Sequence, residues 1–452
     1  MLQWLLLIAL SLGLLWWVPR ARTVEAFYEG AQDHRQPGFW LLLSSLVISW
    51  LFAKSLTNAA NLGLRFGIVG GVAYATYYLS FGVAGYVIYR LRRDGGFASI
   101  HEFLVTKHGR TAVIIFSLLI SFRLFNEIWS NTMVIGSYFG EQGSTPYLSA
   151  VVAFTGLTLA YAAKGGMSSS ILTDAVQMAL FAVLLVVLGG YIIGDLPSLA
   201  PNDATLPQFD GASPLWGSWT MAGGVDLLLV GLLQVLSYPF HDPVMTDRGF
   251  ISELRTTRRA FYWSVPVGVT CIVLFSLVGV FARAKGFEGE AAVEVAGALG
   301  IAAMLVVNLI MVTSAASTLD STFSSWAGLV TRFSESGRSI RAGRIAMLLL
   351  AVAGTVPVFF GPEVLSATTV SGLMVVGLAP VFLLWRLDVP RWAFHVAVIA
   401  GLLVGIHYAT IGVPGWLMFG DGKYAGLLGA TALGTALAFG LFSGSRVFTG
   451  RA

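Results

Sequence analysis

Apolar residues run along this chain in long blocks separated by short polar turns, and the blocks have the length of a bilayer crossing. A transmembrane helix needs about 17 to 25 mostly apolar residues. Windows of that kind fall at 2–18, 38–62, 68–90, 111–138, 147–163, 167–194, 218–240, 260–283, 291–332, 342–360, 364–385, 392–412 and 424–445. They predict thirteen membrane-spanning helices, the ninth window being long enough to hold a short external helix before its membrane part. Basic residues gather in alternate loops: Arg20, Arg22 and Arg35, then Arg90 to Arg110, then Arg248 to Arg259, then Arg332 to Arg344. The opposite loops 139–146, 195–217 and 361–363 carry no Lys or Arg, although Arg65, Arg283 and Lys285 break the pattern. Because basic loops stay cytoplasmic, the N-terminus is expected outside and the C-terminus inside, as an odd number of spans requires.

The first window has Arg20 and Arg22 after its apolar run, whereas a signal peptide carries its charge before the run and a small-residue cleavage site after it. A retained helix is therefore expected. Two later windows are poor helices in their middles. The second reads Trp50-Leu-Phe-Ala-Lys-Ser-Leu-Thr-Asn-Ala-Ala-Asn-Leu-Gly63, and the seventh ends Gln234-Val-Leu-Ser-Tyr-Pro-Phe-His-Asp-Pro243 after Gly223, Gly224 and Gly231. Broken helices at corresponding places in two halves mark the midplane site of a transporter. The windows group accordingly into five-helix units at 38–194 and 218–385, the spacing of an inverted repeat, with residues 1–37 and 392–452 as additions.

Inside the ninth window, Met311 to Ser325 is a hydroxyl-rich run around one acid. On a helix Ser314, Ser317, Asp320, Ser321 and Ser324 are three or four residues apart and form one stripe. An unpaired charge at bilayer depth costs about 2.5 to 3.5 kcal/mol even on lenient scales, so such acids mark ion paths or buried partners. The fourth window carries Arg123, Asn126, Glu127, Trp129 and Asn131, which must face the bundle interior. Asn126 and Glu127 are expected to border a solute cavity, with Lys54 a partner of Glu127; a purely structural Arg123, Glu127 and Lys54 network is the alternative. Asp242 and Arg248, after the seventh window, read as a gate or, more simply, as a solvated loop.

Composition agrees with a polytopic membrane protein: 56% of residues are hydrophobic, 11% are charged, and 52 of 452 are glycine, which lets membrane helices approach closely. The net charge of +4 records topology rather than a nucleic-acid footprint. One cysteine, Cys271, excludes an internal disulfide, and the six histidines have no ligand spacing, so no transition-metal site is expected.

Two motifs resemble those of the sodium:solute symporter family. Gly165-Gly-Met-Ser-Ser-Ser-Ile-Leu-Thr-Asp-Ala-Val-Gln177 is similar to its Gly-Gly-x-x-Ala-x-x-x-Thr-Asp-x-x-Gln signature, and Ser314-Ala-Ala-Ser-Thr-Leu-Asp-Ser321 to its Ala-x-x-Ser-Thr-x-Asp-Ser pattern. The second window also resembles the urea-transporting branch in Trp50, Asn58, Ala59, Ala60, Asn61, Phe66 and Gly67, but Lys54 stands where that branch has a small residue.

The resemblance implies an all-α LeuT-type fold and a sodium site between the first and eighth core helices. Carried over by position, its ligands are the carbonyls of Thr57, Ala60 and Ser314 and the hydroxyls of Ser317 and Thr318. Asp174, Ser317, Asp320 and Ser321 match a second sodium site found in some members, or an ion exit path. Trp50, Asn58, Asn61, Asn126, Glu127 and Gln234 are the expected solute-cavity residues; Ser366, Thr368, Thr369 and Ser371 line the path or pack helices. The function expected is sodium-coupled symport of a small polar solute across a bacterial inner membrane, without nucleic acid or an evident protein partner. Proton coupling through Asp174 or Asp320 is the nearest alternative, and a membrane sensor with a symporter body the next. An enzyme is not expected, since no nucleophile and base pair stands at readable spacing.

Overall fold

The computed structural model describes residues 2–30, 36–195, 216–332, 338–361 and 371–451, and among these it is helical without strands. Arg35, Ser366, Thr368 and Thr369 lie outside the described residues. In chain order the helices are α1 (Leu2–Trp17), α2 (Val24–Glu29), α3 (Phe39–Trp50), α4 (Ala53–Phe66), α5 (Ile68–Ala75), α6 (Ser80–Gly95), α7 (Ile100–His108), α8 (Arg110–Ser137), α9 (Thr145–Gly165) and α10 (Met167–Asp195). There follow α11 (Asp226–Gln234), α12 (Pro243–Arg248), α13 (Leu254–Ala284), α14 (Ala291–Ala298), α15 (Ile301–Arg332), α16 (Ile340–Thr355), α17 (Leu378–Leu383), α18 (Ala393–Thr410) and α19 (Ala425–Gly444).

Among the described residues nine helical stretches are long and apolar enough to cross a membrane, and α3 with α4, bent by 60°, make a tenth. Leu2–Trp17 and Met221–Gln234 are shorter apolar helices. The predicted window at 364–385 is described from residue 371 onward and is helical there in part, so every predicted window carries helix.

Local chemistry sets the helix ends that matter for the site. α9 starts at Ser144, whose hydroxyl accepts the Tyr147 amide, with Pro146 in its first turn. α12 starts at Asp242, whose Oδ1 accepts the amides of Val244 (3.0 Å) and Met245 (3.3 Å), and Pro243 gives up no hydrogen bond at the first position. The entry to α11 turns through Gly224 at φ 107°, a backbone setting that favours glycine. At the centre, α10 runs along α15 and α3, and α13 packs on α4. At Gly279 a β-carbon would stand 1.7 Å from the Ala60 carbonyl oxygen, so α13 and α4 touch backbone to backbone, as small residues permit in membrane bundles.

Candidate cation and solute site

The break in the first long span falls at Leu51 (φ −77°, ψ 59°) and Phe52 (φ −53°, ψ 144°). A helix that stops there leaves its last carbonyls without amides four residues on. Other elements supply the partners. Tyr78 Oη donates to the Trp50 carbonyl at 2.8 Å, the Ser314 hydroxyl donates to the Leu51 carbonyl, and the Lys54 amide donates to Asn131 Oδ1 at 3.2 Å. The freed carbonyls thus meet the hydroxyl stripe of α15 at Leu51 and Ser314.

The freed carbonyls stand earlier in the chain than the two expected from sequence. Thr57 and Ala60 lie inside α4, where their carbonyls belong to a regular helix, and the Thr57 hydroxyl points toward Glu290. The polar run from Lys54 to Asn61 does not break the helix; it gives α4 a polar face toward α5, α8 and α14. Backbone torsions end α3 before that run begins.

Four helices converge one turn away. Asp174 of α10 is fully buried and accepts hydrogen bonds from Ser45 (2.5 Å) and Ser49 (3.2 Å) of α3 and from Ser317 of α15. Arg248 of α12 is also fully buried, and its Nη2 lies 3.0 Å from Asp174 Oδ2 and 2.7 Å from the Ser321 hydroxyl. Its Nε donates to Ser45 at 2.5 Å. Asp320 accepts from Ser170 (2.8 Å), Thr173 (2.9 Å) and Ser321 (3.3 Å). Asp174, Ser317, Asp320 and Ser321 therefore come together. Thr318 instead bonds back to the Ser314 carbonyl at 3.0 Å.

Arg248 is the residue that sequence reading placed least well. A solvated loop was the simpler expectation, yet its side chain is among the largest fully buried ones in the protein. Ser45 and Ser49 were not singled out, and Ser170 and Thr173 entered only as members of the Gly165–Gln177 motif, without a role of their own. The signal was present for the first two: they stand one helical turn apart in an otherwise apolar stretch.

A second charged network lies beside the break. Lys54 Nζ is 2.8 Å from Glu127 Oε2 and donates to Asn126 Oδ1 (3.2 Å) and Ser130 Oγ (3.1 Å). Glu127 also pairs with Arg123, whose Nη2 reaches Asp242 Oδ2 at 3.3 Å. Asp242 Oδ2 accepts the Trp50 indole N–H at 2.8 Å as well. The Arg123 guanidinium stacks between the rings of Phe52 (5.2 Å) and Tyr238 (5.3 Å), where ring faces attract cations. Two cations and two carboxylates balance, which is what lets all four be buried. Asp242 spans both networks: one oxygen starts the helix that carries Arg248, and the other holds Trp50 and Arg123.

The remaining expected cavity residues divide. Trp50, Phe52, Ser55, Tyr74, Tyr77, Tyr78 and Tyr238 surround a void of about 10 Å³, room for about one water. Asn58 reaches its edge by donating to Tyr74 Oη at 3.3 Å, and Gln234 by accepting from Tyr77 Oη at 2.9 Å. Asn61 is placed elsewhere: its Oδ1 accepts the Ala291 amide at 3.0 Å and so caps α14. Ser371 follows the stretch outside the described residues, and Gly372 beside it packs on the Gln234 amide.

The two ends of the bundle differ. At the α14 end, α14 lies against α4 and α13, and Glu290 is partly buried beside Thr57. At the opposite end, a cavity of about 680 Å³ opens between α2, α7, α12 and α15, with Thr246, Asp247 and Ser324 in its wall.

No family model matches the chain, and no curated protein is significantly similar to it in sequence. In fold it is similar to a Na+-coupled sialic acid symporter, solved substrate-bound and outward-open and described as revealing a novel Na+ site. That likeness has a TM-score of 0.73 at 14% identity over 99% of this chain and 98% of that one. It is also similar to Mhp1 in an inward-facing conformation, with a TM-score of 0.56 and 13% identity over 92% of each chain. A closed form of Mhp1, a nucleobase-cation-symport-1 family transporter with bromovinylhydantoin bound, gives 0.53 and 12% over 95% of this chain and 97% of that one. The class defined is an all-helical membrane protein with the LeuT-type transporter fold. At these identities the likeness speaks for fold alone.

Proposed function

We propose that the chain is a sodium-coupled secondary active symporter that imports a small polar organic solute by alternating access. One observation carries this reading. Asp174 and Asp320 are buried among hydroxyls of three helices with a single guanidinium between them, next to carbonyls freed by a broken helix. Two buried carboxylates against one cation leave a negative charge, and hard oxygens around it suit sodium.

In this reading the ion sits between the end of α3 and α15, held by the Leu51 carbonyl and by Ser314, Ser317 and Thr318. Asp174, Asp320 and Ser321 shape its charge and exit. The units 38–194 and 218–385 are inverted repeats, each opening with its broken helix. By the basic-loop argument the 680 Å³ cavity is cytoplasmic and α14 external, with the N-terminus outside and the C-terminus inside the cell. The solute site forms where the aromatic void, closed here to about one water, widens between Trp50, Asn58 and Gln234, with Asn126 and Glu127 in the adjoining charged network. Lys54, in the first turn of α4 beside the break, stands where the urea-transporting branch has a small residue, which argues against urea. Ion and solute couple because the ion steadies the break that also forms the solute site, so each raises affinity for the other.

The test is thermal unfolding of the purified protein in sodium chloride against choline chloride, with a panel of candidate solutes in each. Sodium should raise the melting temperature, and a transported solute should raise it further only when sodium is present. Equal melting in both salts would overturn the sodium assignment. A proton on Asp320 is the second reading: the Arg248 guanidinium pairs with Asp174, and a proton at Asp320 would supply the positive charge that sodium supplies in the first. Uptake driven by a pH gradient without sodium would select it.

A further inference from the structure

Arg248 lies between the paired carboxylates and the open cavity. Its helix, α12, presents Thr246 and Asp247 to the 680 Å³ cavity, and Ser324, one turn along α15 from Ser321, faces the same space. The guanidinium itself points inward. Nη2 contacts Asp174 (3.0 Å) and the hydroxyls of Ser321 (2.7 Å), Ser49 (3.3 Å) and Ser170 (3.4 Å). A carboxylate with converging hydroxyls is the donor set that a small monovalent cation would use. Here a tethered cation already uses it.

We propose that Arg248 is the resident cation of the Asp174, Ser317, Asp320 and Ser321 position, so that this position takes no second sodium while α12 is docked. The inference rests on the sodium reading above and fixes its stoichiometry at one. Charge supports the count: one sodium with Arg248 neutralises Asp174 and Asp320, whereas two would leave an excess buried positive charge. Asp247, the other acid on α12, lies in the cavity wall with Arg332 of α15. Placement gives Arg248 a second consequence. It plugs the route from Asp174 to the cavity, and Asp242, which starts α12, also holds Trp50 and Arg123 at the solute site. Withdrawal of α12 would therefore open the ion route and disturb the solute site together.

The test counts sodium ions bound per polypeptide, by scintillation proximity with radioactive sodium, on folded protein verified by size exclusion. Wild type should bind one ion, R248Q two, R248K one, and D174N/R248Q one. Two ions on wild type, or an unchanged single ion on R248Q, would overturn the proposal. If R248Q does not fold, the wild-type count decides, one ion upholding and two overturning. No ion on wild type but one on R248Q would uphold the resident cation while sinking the sodium reading; none on either would sink both.

Discussion

Lys54 and Glu127 form an ion pair of 2.8 Å with neither side chain open to solvent. Removing one member of a buried pair leaves an uncompensated charge, at a cost of about 3 to 5 kcal/mol. E127Q strips the counter-charge from Lys54 and one of two from Arg123, so it should melt well below wild type. K54M is milder because Glu127 keeps Arg123. The double variant K54M/E127Q leaves Arg123 paired with Asp242 and should recover most of the loss. Thermal unfolding in detergent measures all three, and E127Q melting with wild type would refute the pairing as a source of stability.

Ser314 should set sodium affinity through the Leu51 carbonyl. Its hydroxyl orients that oxygen at the break, and losing one such hydrogen bond is worth about 1 kcal/mol. S314A is expected to raise the sodium concentration for half-maximal uptake about fivefold. T57A should leave it unchanged, because the Thr57 hydroxyl faces Glu290. Lost sodium affinity in T57A with none lost in S314A would refute the role given to the Leu51 carbonyl.

What the sequence disclosed, and what it hid, follows from the range of the forces involved. The bilayer imposes length and apolarity on every span, so the helical windows were legible, and the two motifs carried the resemblance that implied the LeuT-type architecture. The α15 stripe was legible because hydroxyls at helical spacing line up around one acid, although Thr318 and Ser324 each bond back to a carbonyl of their own helix. The break fell inside the stretch Trp50 to Gly63 that the sequence marked, but its exact residues were not legible because Leu51 and Phe52 look like any apolar pair. Their unwound state depends on Tyr78 and on Ser314, which is 263 residues away in sequence. Arg248 was misread for a similar reason: a short polar segment looks like a loop until Asp242 caps it into a helix aimed at Asp174.

Gly279 should tolerate no side chain. A β-carbon there would meet the Ala60 carbonyl at 1.7 Å and the Leu64 amide nitrogen at 2.6 Å, both backbone atoms that cannot swing aside. G279A must therefore push α13 away from α4, an overpacking cost of about 1 to 3 kcal/mol or more. Gly297, with nothing within 4 Å, is the control. G279A should lower the melting temperature and G297A should not; equal melting of both would refute the close helix contact.

Glu290 should make closure at the α14 end depend on pH. Burial raises its carboxyl from an ordinary 4.5 to about 7, partly offset by the hydrogen bond from Thr57 at 3.5 Å. Tyr138, just past the end of α8, faces it and offers no positive charge. A raised acid favours the buried form while protonated: the contribution is full below pH 4.5 and is lost as pH rises through about 7. Above that point the ionised carboxylate draws toward water and pulls on α14, which starts at the next residue and is capped by Asn61. Hydrogen exchange of the Ala291–Ala298 amides, expressed as protection factors so that base catalysis cancels, reads this directly. Protection should fall between pH 5.5 and 8.5 in wild type and stay level in E290Q. An equal fall in both proteins would assign the pH response to some other group.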